Sequence, residues 1–286
     1  MSTQIFSERL ISASGDLTEL NNSLIVHVSS PEAFASAHIP GAVLLTPAEL
    51  ILGTPPAVGK IAEPTQLANA LQRIGYRRDQ TIVVYDDEGG GWAGRLIWTL
   101  DVIGHANWQY IDGGLHAWAA AGGAIETGIT TPSPAPVAPT LEYNQNLIAN
   151  CDALIGAVVS NDQNLAVWDA RSLAEHLGQR SGSARPGRIP GSAHLDWLDV
   201  MDQQNNLCLR KDLQACLTQR GITPDKTVVV HCQTHHRSGL AYLAARVLDY
   251  PKIKGYDGSW AEWGNREDTP IATGAVDTTD KTSGAV

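Results

Sequence analysis

The sequence predicts an α/β protein of two similar domains, each with a mainly parallel sheet covered by helices on both faces. Three segments of the first half recur in the second half in the same order: TIVVYD (81–86) as TVVVHC (227–232), HIPGA (38–42) as RIPGS (188–192), and IDGGLHAW (111–118) as YDGSWAEW (256–263). The offsets are 146, 150 and 145 residues, and this near-constant spacing indicates a duplicated domain. The 286 residues are enough for two domains of ordinary size.

Within each half, apolar runs rich in β-branched residues alternate with segments of helical periodicity. The runs predicted as strands are 23–29, 81–86, 164–170 and 227–232. The segments predicted as helices are 30–38, 93–104, 171–178 and 238–250. Strands that alternate with helices form parallel sheets, and ligands bind beyond the carboxyl ends of such strands. We therefore expect the functional residues at those ends.

Composition and charge exclude several classes of function. The formal net charge of −10 argues against general nucleic-acid binding, which requires a basic surface. No stretch approaches the roughly 18 apolar residues of a membrane helix, and the N-terminal sequence lacks a basic segment followed by an apolar one. The four cysteines form no CxxC pair, which argues against a disulfide framework and a zinc site. We expect a cytoplasmic protein with free thiols that binds neither nucleic acid nor a membrane.

The segment TGITTPSPAPVAPTLEYN (127–144) separates the two halves and is rich in Pro, Thr and Ala. Prolines remove backbone donors and favour extended backbone, so this segment is predicted to be a semi-rigid linker. The predicted domains are therefore residues 1–126 and 145–286. Because the chain already contains two copies of the domain, we expect a monomer.

Cys232 follows a predicted strand and precedes a helix that is predicted to begin near Arg237 or Ser238. The unpaired N–H groups and the positive dipole end of such a helix point toward the loop, where they stabilise a thiolate together with Arg237. A cysteine in this setting can have a pKa of roughly 3.5–7.5 instead of about 8.5. The pattern predicts a nucleophile at Cys232; a buried core cysteine is the alternative.

Only four residues separate Cys232 from Arg237: Gln233, Thr234, His235 and His236. The corresponding loop of protein tyrosine phosphatases is one residue longer, which lets it wrap a phosphate. A tighter ring of inward-pointing amides suits one extra sulfur atom on the thiolate, that is, a persulfide. His235 and His236 are expected to line the loop as positive groups. A metal site is the alternative, but adjacent side chains rarely converge on one ion.

The tandem layout, the segments HIPGA and RIPGS, VWDARS (167–172) and the loop CQTHHR (232–237) together resemble the rhodanese family, specifically its two-domain sulfurtransferases. The loop is similar to that of a bacterial thiosulfate sulfurtransferase subgroup. The resemblance implies two tandem rhodanese-like domains and a two-step reaction with no bound cofactor or metal. A small anionic donor, thiosulfate, gives its outer sulfur to Cys232, and cyanide, a thiol or an acceptor protein then takes it.

The resemblance also implies roles for individual residues. Cys232 is the nucleophile, and Asp169 corresponds to the aspartate that braces the active-site loop, where it could accept loop hydrogen bonds or pair with Arg237. The residues implied to hold the transferred sulfur are Gln233, Thr234, His235, His236, Arg237 and Ser238. Trp197 is expected either beside the cleft or in the core.

Two departures from the family pattern weaken the case for mercaptopyruvate as the donor. Glu175 stands where family members usually have an arginine, and no lysine follows the cysteine. The charge that binds the donor anion must then come from elsewhere. The expected sources are Arg237, His235 and His236, followed by Arg171, Arg185 and Arg188.

In the first half, Asp86 stands at the position that corresponds to Cys232, and Asp87 and Glu88 follow it. Carboxylates cannot hold a sulfane sulfur and would repel thiosulfate. The first half is therefore expected to be catalytically silent and to wall one side of the cleft. Three alternatives to a thiosulfate sulfurtransferase stay open: a mercaptopyruvate sulfurtransferase, a cysteine phosphatase, and a carrier that delivers persulfide sulfur to a partner protein.

Overall fold

The structure is a computed structural model that describes residues 8–275. Residues 1–7 and 276–286, which the predicted domain bounds include, lie outside the described residues. The described part of the first half contains these strands and α-helices: β1 (Leu10–Ile11), β2 (Ser23–Val28), α1 (Pro31–Ser36), β3 (Val43–Leu45), α2 (Pro64–Arg73), β4 (Thr81–Tyr85), α3 (Gly91–Val102), β5 (Trp108–Ile111) and α4 (Gly114–Ala120).

The second half repeats the alternation and adds a small antiparallel hairpin, β8–β9. Its described strands and α-helices are α5 (Cys151–Val159), β6 (Leu165–Asp169), α6 (Leu173–His176), β7 (Ala193–His194), β8 (Met201–Asp202), β9 (Cys208–Leu209), α7 (Leu213–Gln219), β10 (Thr227–His231), α8 (Arg237–Val247), β11 (Ile253–Gly255) and α9 (Ser259–Trp263). Across residues 8–275, no helix is both long and apolar enough to cross a membrane.

Each half is built on its own parallel sheet. The strand order is β1-β5-β4-β2-β3 in the first sheet and β11-β10-β6-β7 in the second. Alternate residues of β4 enter different core clusters: Ile82 and Val84 pack on one face of the sheet, and Val83 and Tyr85 on the other. Helices therefore cover both faces, because successive side chains of a strand point in opposite directions. This confirms the predicted fold class.

The two halves pack together through α3 and α8, whose backbones lie in direct contact. A Cβ atom added to Gly94 would overlap the backbone of Gly239, and one added to Gly239 would overlap Gly91. Gly94 and Gly239 are equivalent positions of the duplicated sequence, 145 residues apart. One apolar cluster runs across this interface and includes core residues of both sheets.

Each half also covers the other's strand-end loop. The loop before α2 reaches the second half, where Asp257 accepts a hydrogen bond from the amide of Ile61 at 2.9 Å. In the opposite direction, Asp112 accepts a hydrogen bond from the amide of Leu209, in the β8–β9 hairpin, at 2.8 Å. Asp112 and Asp257 are again 145 residues apart, so the interface has approximate twofold symmetry.

The segment 127–144 contains neither an α-helix nor a strand. It runs along the first half, where Ala135 donates its amide to the carbonyl of Gln72 at 2.8 Å. Near the end of the segment, the hydroxyl of Tyr143 donates to the carbonyl of Ala62 at 2.6 Å. These contacts hold the segment against the surface of the first half. Its prolines have no N–H to donate, which fits the absence of a helix or strand in this segment.

Candidate active site

Cys232 lies directly after β10, the strand between β6 and β11, at the carboxyl end of the second sheet. Its loop is anchored on α9: the carbonyl of Cys232 accepts the amide of Trp260 at 3.0 Å, and that of Gln233 accepts the amide of Ala261 at 2.9 Å. Helix α8 begins at Arg237, as predicted from the sequence. The thiol therefore lies at the N-terminus of a helix, at the edge of the sheet where ligands bind.

Cys232 is only 1% exposed, and burial alone would raise the pKa of its thiol. The pKa is nevertheless lowered from its ordinary value, because the charge of Arg237, the hydroxyl and amide of Ser238, and His236 together outweigh the cost of burial. The donors around Cys232 thus favour an anionic sulfur. Both hydrogen-bond donors belong to Ser238, one residue beyond the loop, so a ring of inward-pointing loop amides stays a prediction.

His235 does not line the site as a positive group, and the expectation that it would is wrong. Its side chain is fully buried, and it packs edge-on against Trp98 of the first half, with ring centroids 4.6 Å apart. Burial first, and then Arg95, lower the pKa of His235 well below its usual value, so the ring is neutral. Its Nδ1 lies 2.7 Å from the hydroxyl of Ser238. If Nδ1 carries the proton, Ser238 is free to donate to the sulfur of Cys232.

Arg237 forms a bidentate ion pair with Glu175, with N···O distances of 2.7 and 2.9 Å. Glu175 also accepts the hydroxyl of Ser172 in a capping box at the start of α6. Although burial opposes it, these contacts lower the pKa of Glu175 to about 2, with Arg237 as the stronger partner. Glu175, which departs from the family pattern, therefore pairs with Arg237, the cation that the sulfur donor would need.

A cavity of about 440 Å³ opens next to the loop. Gln233 and Arg237 form its inner wall, and Trp197 and Leu198 form an apolar side. Trp197 therefore stands beside the cleft, half-buried, and also packs against the main apolar cluster. Arg180 supplies a further cation: it is exposed, lines the cavity and has no ion-pair partner among residues 8–275. The cavity thus combines anion-binding groups with an apolar wall.

Asp169 does not pair with Arg237, and it accepts no hydrogen bond from the amides of the cysteine loop. Its carboxylate is fully buried and accepts from the guanidinium of Arg171 at 2.7 and 2.9 Å and from Nδ1 of His176 at 2.9 Å. His231 lies 3.9 Å away. No hydrogen bond joins Nε2 of His231 to Asp169, so the role of Asp169 in bracing the cysteine loop stays a prediction.

The three arginines expected to supply additional anion-binding charge do not line the cavity. Arg171 is fully buried on Asp169 and stacks over the ring of Trp260 at 4.3 Å. Arg188 donates to the carbonyl of Gly274 at 2.8 Å. Arg185 donates to the carbonyl of Trp263, the last residue of α9, and to that of Thr269. Each guanidinium satisfies carbonyl or carboxylate groups of the fold and is not available to a ligand.

His236 points away from His235 and toward the first half. Its Nε2 pairs with Glu88, and its ring stacks on Trp92 with centroids 4.3 Å apart and planes inclined by 18°. The two histidine rings diverge because His235 has a left-handed backbone, with φ of 59°. The different partners of the two rings argue against a metal site shared by them.

Arg95 also reaches the loop from the first half. Its side chain is fully buried and stacks over Trp98 with 4.7 Å to the ring centroid. Burial lowers the pKa of Arg95 to about 10, against the attraction of Asp257 and Cys232. A buried cation of the first half therefore attracts the anionic sulfur of Cys232.

The corresponding loop of the first half is filled by its own carboxylate. Asp86 is fully buried and accepts the amides of Glu88, Gly89, Gly90 and Ala93 at 2.8–3.3 Å. Burial and the charge of Glu88 raise the pKa of Asp86 to about 6, against these donors. The loop of the first half thus forms a nest of amides around the carboxylate of Asp86, at the position where the second half has the thiol of Cys232.

Three residues at the site were not predicted from the sequence: Arg180, Glu88 and Trp92. Arg180 lies in an arginine-rich run, GQRSGSARPGR (178–188), and that run was a usable signal. Glu88 and Trp92 carry no such signal, because they enter the site only through the packing of the two halves.

Residues 13–121 and 157–266 each match the protein family described as "Rhodanese-like domain". The chain belongs to the rhodanese family. One copy of the domain precedes the segment 127–144 and the other follows it, and the second copy contains the CQTHHR loop. The family expected from the sequence is thereby confirmed.

Among its relatives, the chain is 46% identical to "Thiosulfate sulfurtransferase" of Azotobacter vinelandii, over 87% of this chain and 90% of that protein. It is 43% identical to "Thiosulfate sulfurtransferase" of Pseudomonas aeruginosa, over the same two shares. The crystal structure of the anaerobic ergothioneine biosynthesis enzyme of Chlorobium limicola aligns with a TM-score of 0.82, over 94% of this chain and 71% of that chain, at 23% identity. The last likeness concerns the fold alone.

Proposed function

We propose that this chain is a thiosulfate sulfurtransferase that carries the transferred sulfur as a persulfide on Cys232. The observation that carries the proposal is the thiol at the start of α8, whose pKa is lowered despite burial by Arg237, Ser238 and His236. The identities of 46% and 43% to two thiosulfate sulfurtransferases support the choice of reaction. The first domain is silent in this proposal, because Asp86 occupies its loop.

In the first step, the thiolate of Cys232 attacks the outer sulfur of thiosulfate. A Cys–S–S bond forms, the sulfur–sulfur bond of the donor breaks, and sulfite leaves with the electron pair. Arg237 and Arg180 attract the oxygens of the donor, and the donors of Ser238 stabilise the anionic sulfur. In the second step, cyanide or a thiolate attacks the terminal sulfur, and Cys232 leaves as the thiolate. No bound cofactor or metal enters either step.

The lowered pKa of Cys232 predicts fast alkylation below the pH range of an ordinary thiol. Iodoacetamide reacts with the thiolate, whose fraction rises as the pH increases through the pKa, so the midpoint should lie below that of an ordinary thiol. Ser238→Ala removes one donor to the anion and should raise the midpoint by about one pH unit. Intact-mass measurements of alkylation across pH test this. Cys208, whose pKa burial raises to about 12, serves as an internal unreactive thiol.

The bidentate pair between Arg237 and Glu175 predicts that the donor must displace a carboxylate. Glu175→Gln removes the competing charge and retains an acceptor for Ser172, so KM for thiosulfate should fall by about fivefold, or about 1 kcal/mol. Steady-state rates with varied thiosulfate measure this. An unchanged or higher KM would show that the donor does not bind to Arg237.

The competing functions separate in one experiment on the intact protein. Thiosulfate, mercaptopyruvate and an aryl phosphate are supplied in turn, and intact mass reports the addition of one sulfur atom. A mass shift with thiosulfate, reversed by cyanide, supports the proposal. More efficient loading from mercaptopyruvate would favour that donor, and phosphate release would favour a phosphatase. Slow release to cyanide combined with fast release to a cellular protein would favour a persulfide carrier.

We also place the protein in the cytoplasm, as a monomer. All four cysteines are free thiols in the structure, which suits a reducing compartment. The α3–α8 interface already joins two copies of the domain within one chain, so a second chain is not needed to complete the site. Sedimentation velocity should give a single species of about 30.5 kDa.

A further inference from the structure

We propose that Glu88, in the loop of the silent first domain, is a positioning residue for sulfur transfer and acts on Cys232 through His236. The inference deepens the proposed function and rests on it. Glu88 follows Asp86 by two residues, in the loop that corresponds to the cysteine loop of the second half. A positioning role for Glu88 would mean that the silent domain helps to organise the active-site loop, in addition to forming one side of the cleft.

The contact joins the two loops of the duplicated fold. Nε2 of His236 pairs with Oε1 of Glu88, and these residues are 148 positions apart in the chain. Their side chains are 23% and 32% exposed, so water screens the pair only in part. On its faces, the His236 ring stacks against Trp92, and it lies 5.7 Å from the ring of Trp197 in the cavity wall.

A carboxylate paired with Nε2 holds the His236 ring in one orientation. His236 immediately precedes Arg237, so its ring orientation is coupled to the first turn of α8. His236 is also one of the groups that favour the anionic form of Cys232. A ring held by Glu88 and Trp92 is therefore fixed beside the first turn of α8 and beside Trp197, which lines the cavity.

Gly91 leaves the space in which this contact forms. A Cβ atom at position 91 would lie 2.6 Å from Oε1 of Glu88 and 2.7 Å from Nε2 of His236. Gly91 is the first residue of α3 and does not have a positive φ, so its backbone does not require glycine. The space that glycine leaves is instead occupied by the ion pair.

Two variants test the proposal by different routes. Glu88→Gln removes the charge, and Gly91→Ala displaces both side chains while retaining them. In each, persulfide loading at saturating thiosulfate should be about tenfold slower, the equivalent of one charge-assisted hydrogen bond. Gly156→Ala is the matched glycine control, because nothing lies within 4 Å of its Cβ position. Asp112→Asn is the matched carboxylate control, since it weakens the opposite side of the interface.

A merely structural role would lower the melting temperature of Glu88→Gln and of Asp112→Asn alike and leave both loading rates unchanged. That result, or wild-type loading by Gly91→Ala, would overturn the proposal. The alkylation rate of Cys232 by iodoacetamide at fixed pH separates this outcome from failure of the proposed function. It reports the environment of the thiol without any sulfur donor, and it should also fall in both variants and in neither control.

Discussion

Replacing Cys232 with serine should abolish sulfur transfer from thiosulfate. A hydroxyl at this position cannot form a persulfide, and loss of a covalent nucleophile typically costs at least about a thousandfold in rate. The substitution exchanges one small buried side chain for another, so the fold should persist. Intact mass after thiosulfate treatment should show one added sulfur in the wild type and none in Cys232→Ser.

The control for this variant is Cys208→Ser, because Cys208 is a half-buried thiol whose pKa burial raises to about 12. It should load and release sulfur at the wild-type rate. Normal turnover by Cys232→Ser would contradict the catalytic assignment. The assignment would also be wrong if the added sulfur mapped to a peptide that contains Cys151, Cys208 or Cys216.

Replacing Arg237 with alanine should have the second largest effect. Arg237 favours the anionic sulfur of Cys232 and, once released from Glu175, is placed to bind the donor. Loss of two charge-assisted bonds should lower kcat/KM for thiosulfate by about a hundredfold or more. Arg237→Lys should recover only part of the loss, because lysine keeps the charge but not the planar fork.

Part of any loss in Arg237→Ala could come from leaving Glu175 unpaired in a largely buried position. The double variant Arg237→Ala with Glu175→Gln removes that charge as well, and a double-mutant cycle separates the two effects. Activity of the double variant should remain low. A return to the wild-type kcat/KM would mean that Arg237 serves only to neutralise Glu175.

The features that could be predicted from the sequence are local or repeated. The apolar run 227–232 forms β10 and ends at Cys232, and the helical periodicity after it forms α8, which begins at Arg237. Both elements follow from the properties of neighbouring residues, which act over a few positions of the chain. The duplication predicted the two parallel sheets, because a repeated pattern repeats its fold.

Partners within the site were harder to predict than its position. Asp169 was a candidate partner of Arg237, but it binds Arg171 and His176, and Glu175 binds Arg237 instead. Except for Arg237, these charges lie between residues 169 and 176. Which cation each carboxylate reaches depends on where β6 and α6 place them, and charge pattern alone does not contain that geometry.

The sequence by itself determined the domain duplication, the position of the thiol at a strand end and the short loop between Cys232 and Arg237. Each of these depends on residues that are adjacent or periodically spaced. Only the tertiary structure decided that His235 is buried and neutral while His236 faces Glu88. The physical reason is that adjacent side chains diverge when the backbone turns, and contacts across 148 residues depend on how α3 packs on α8.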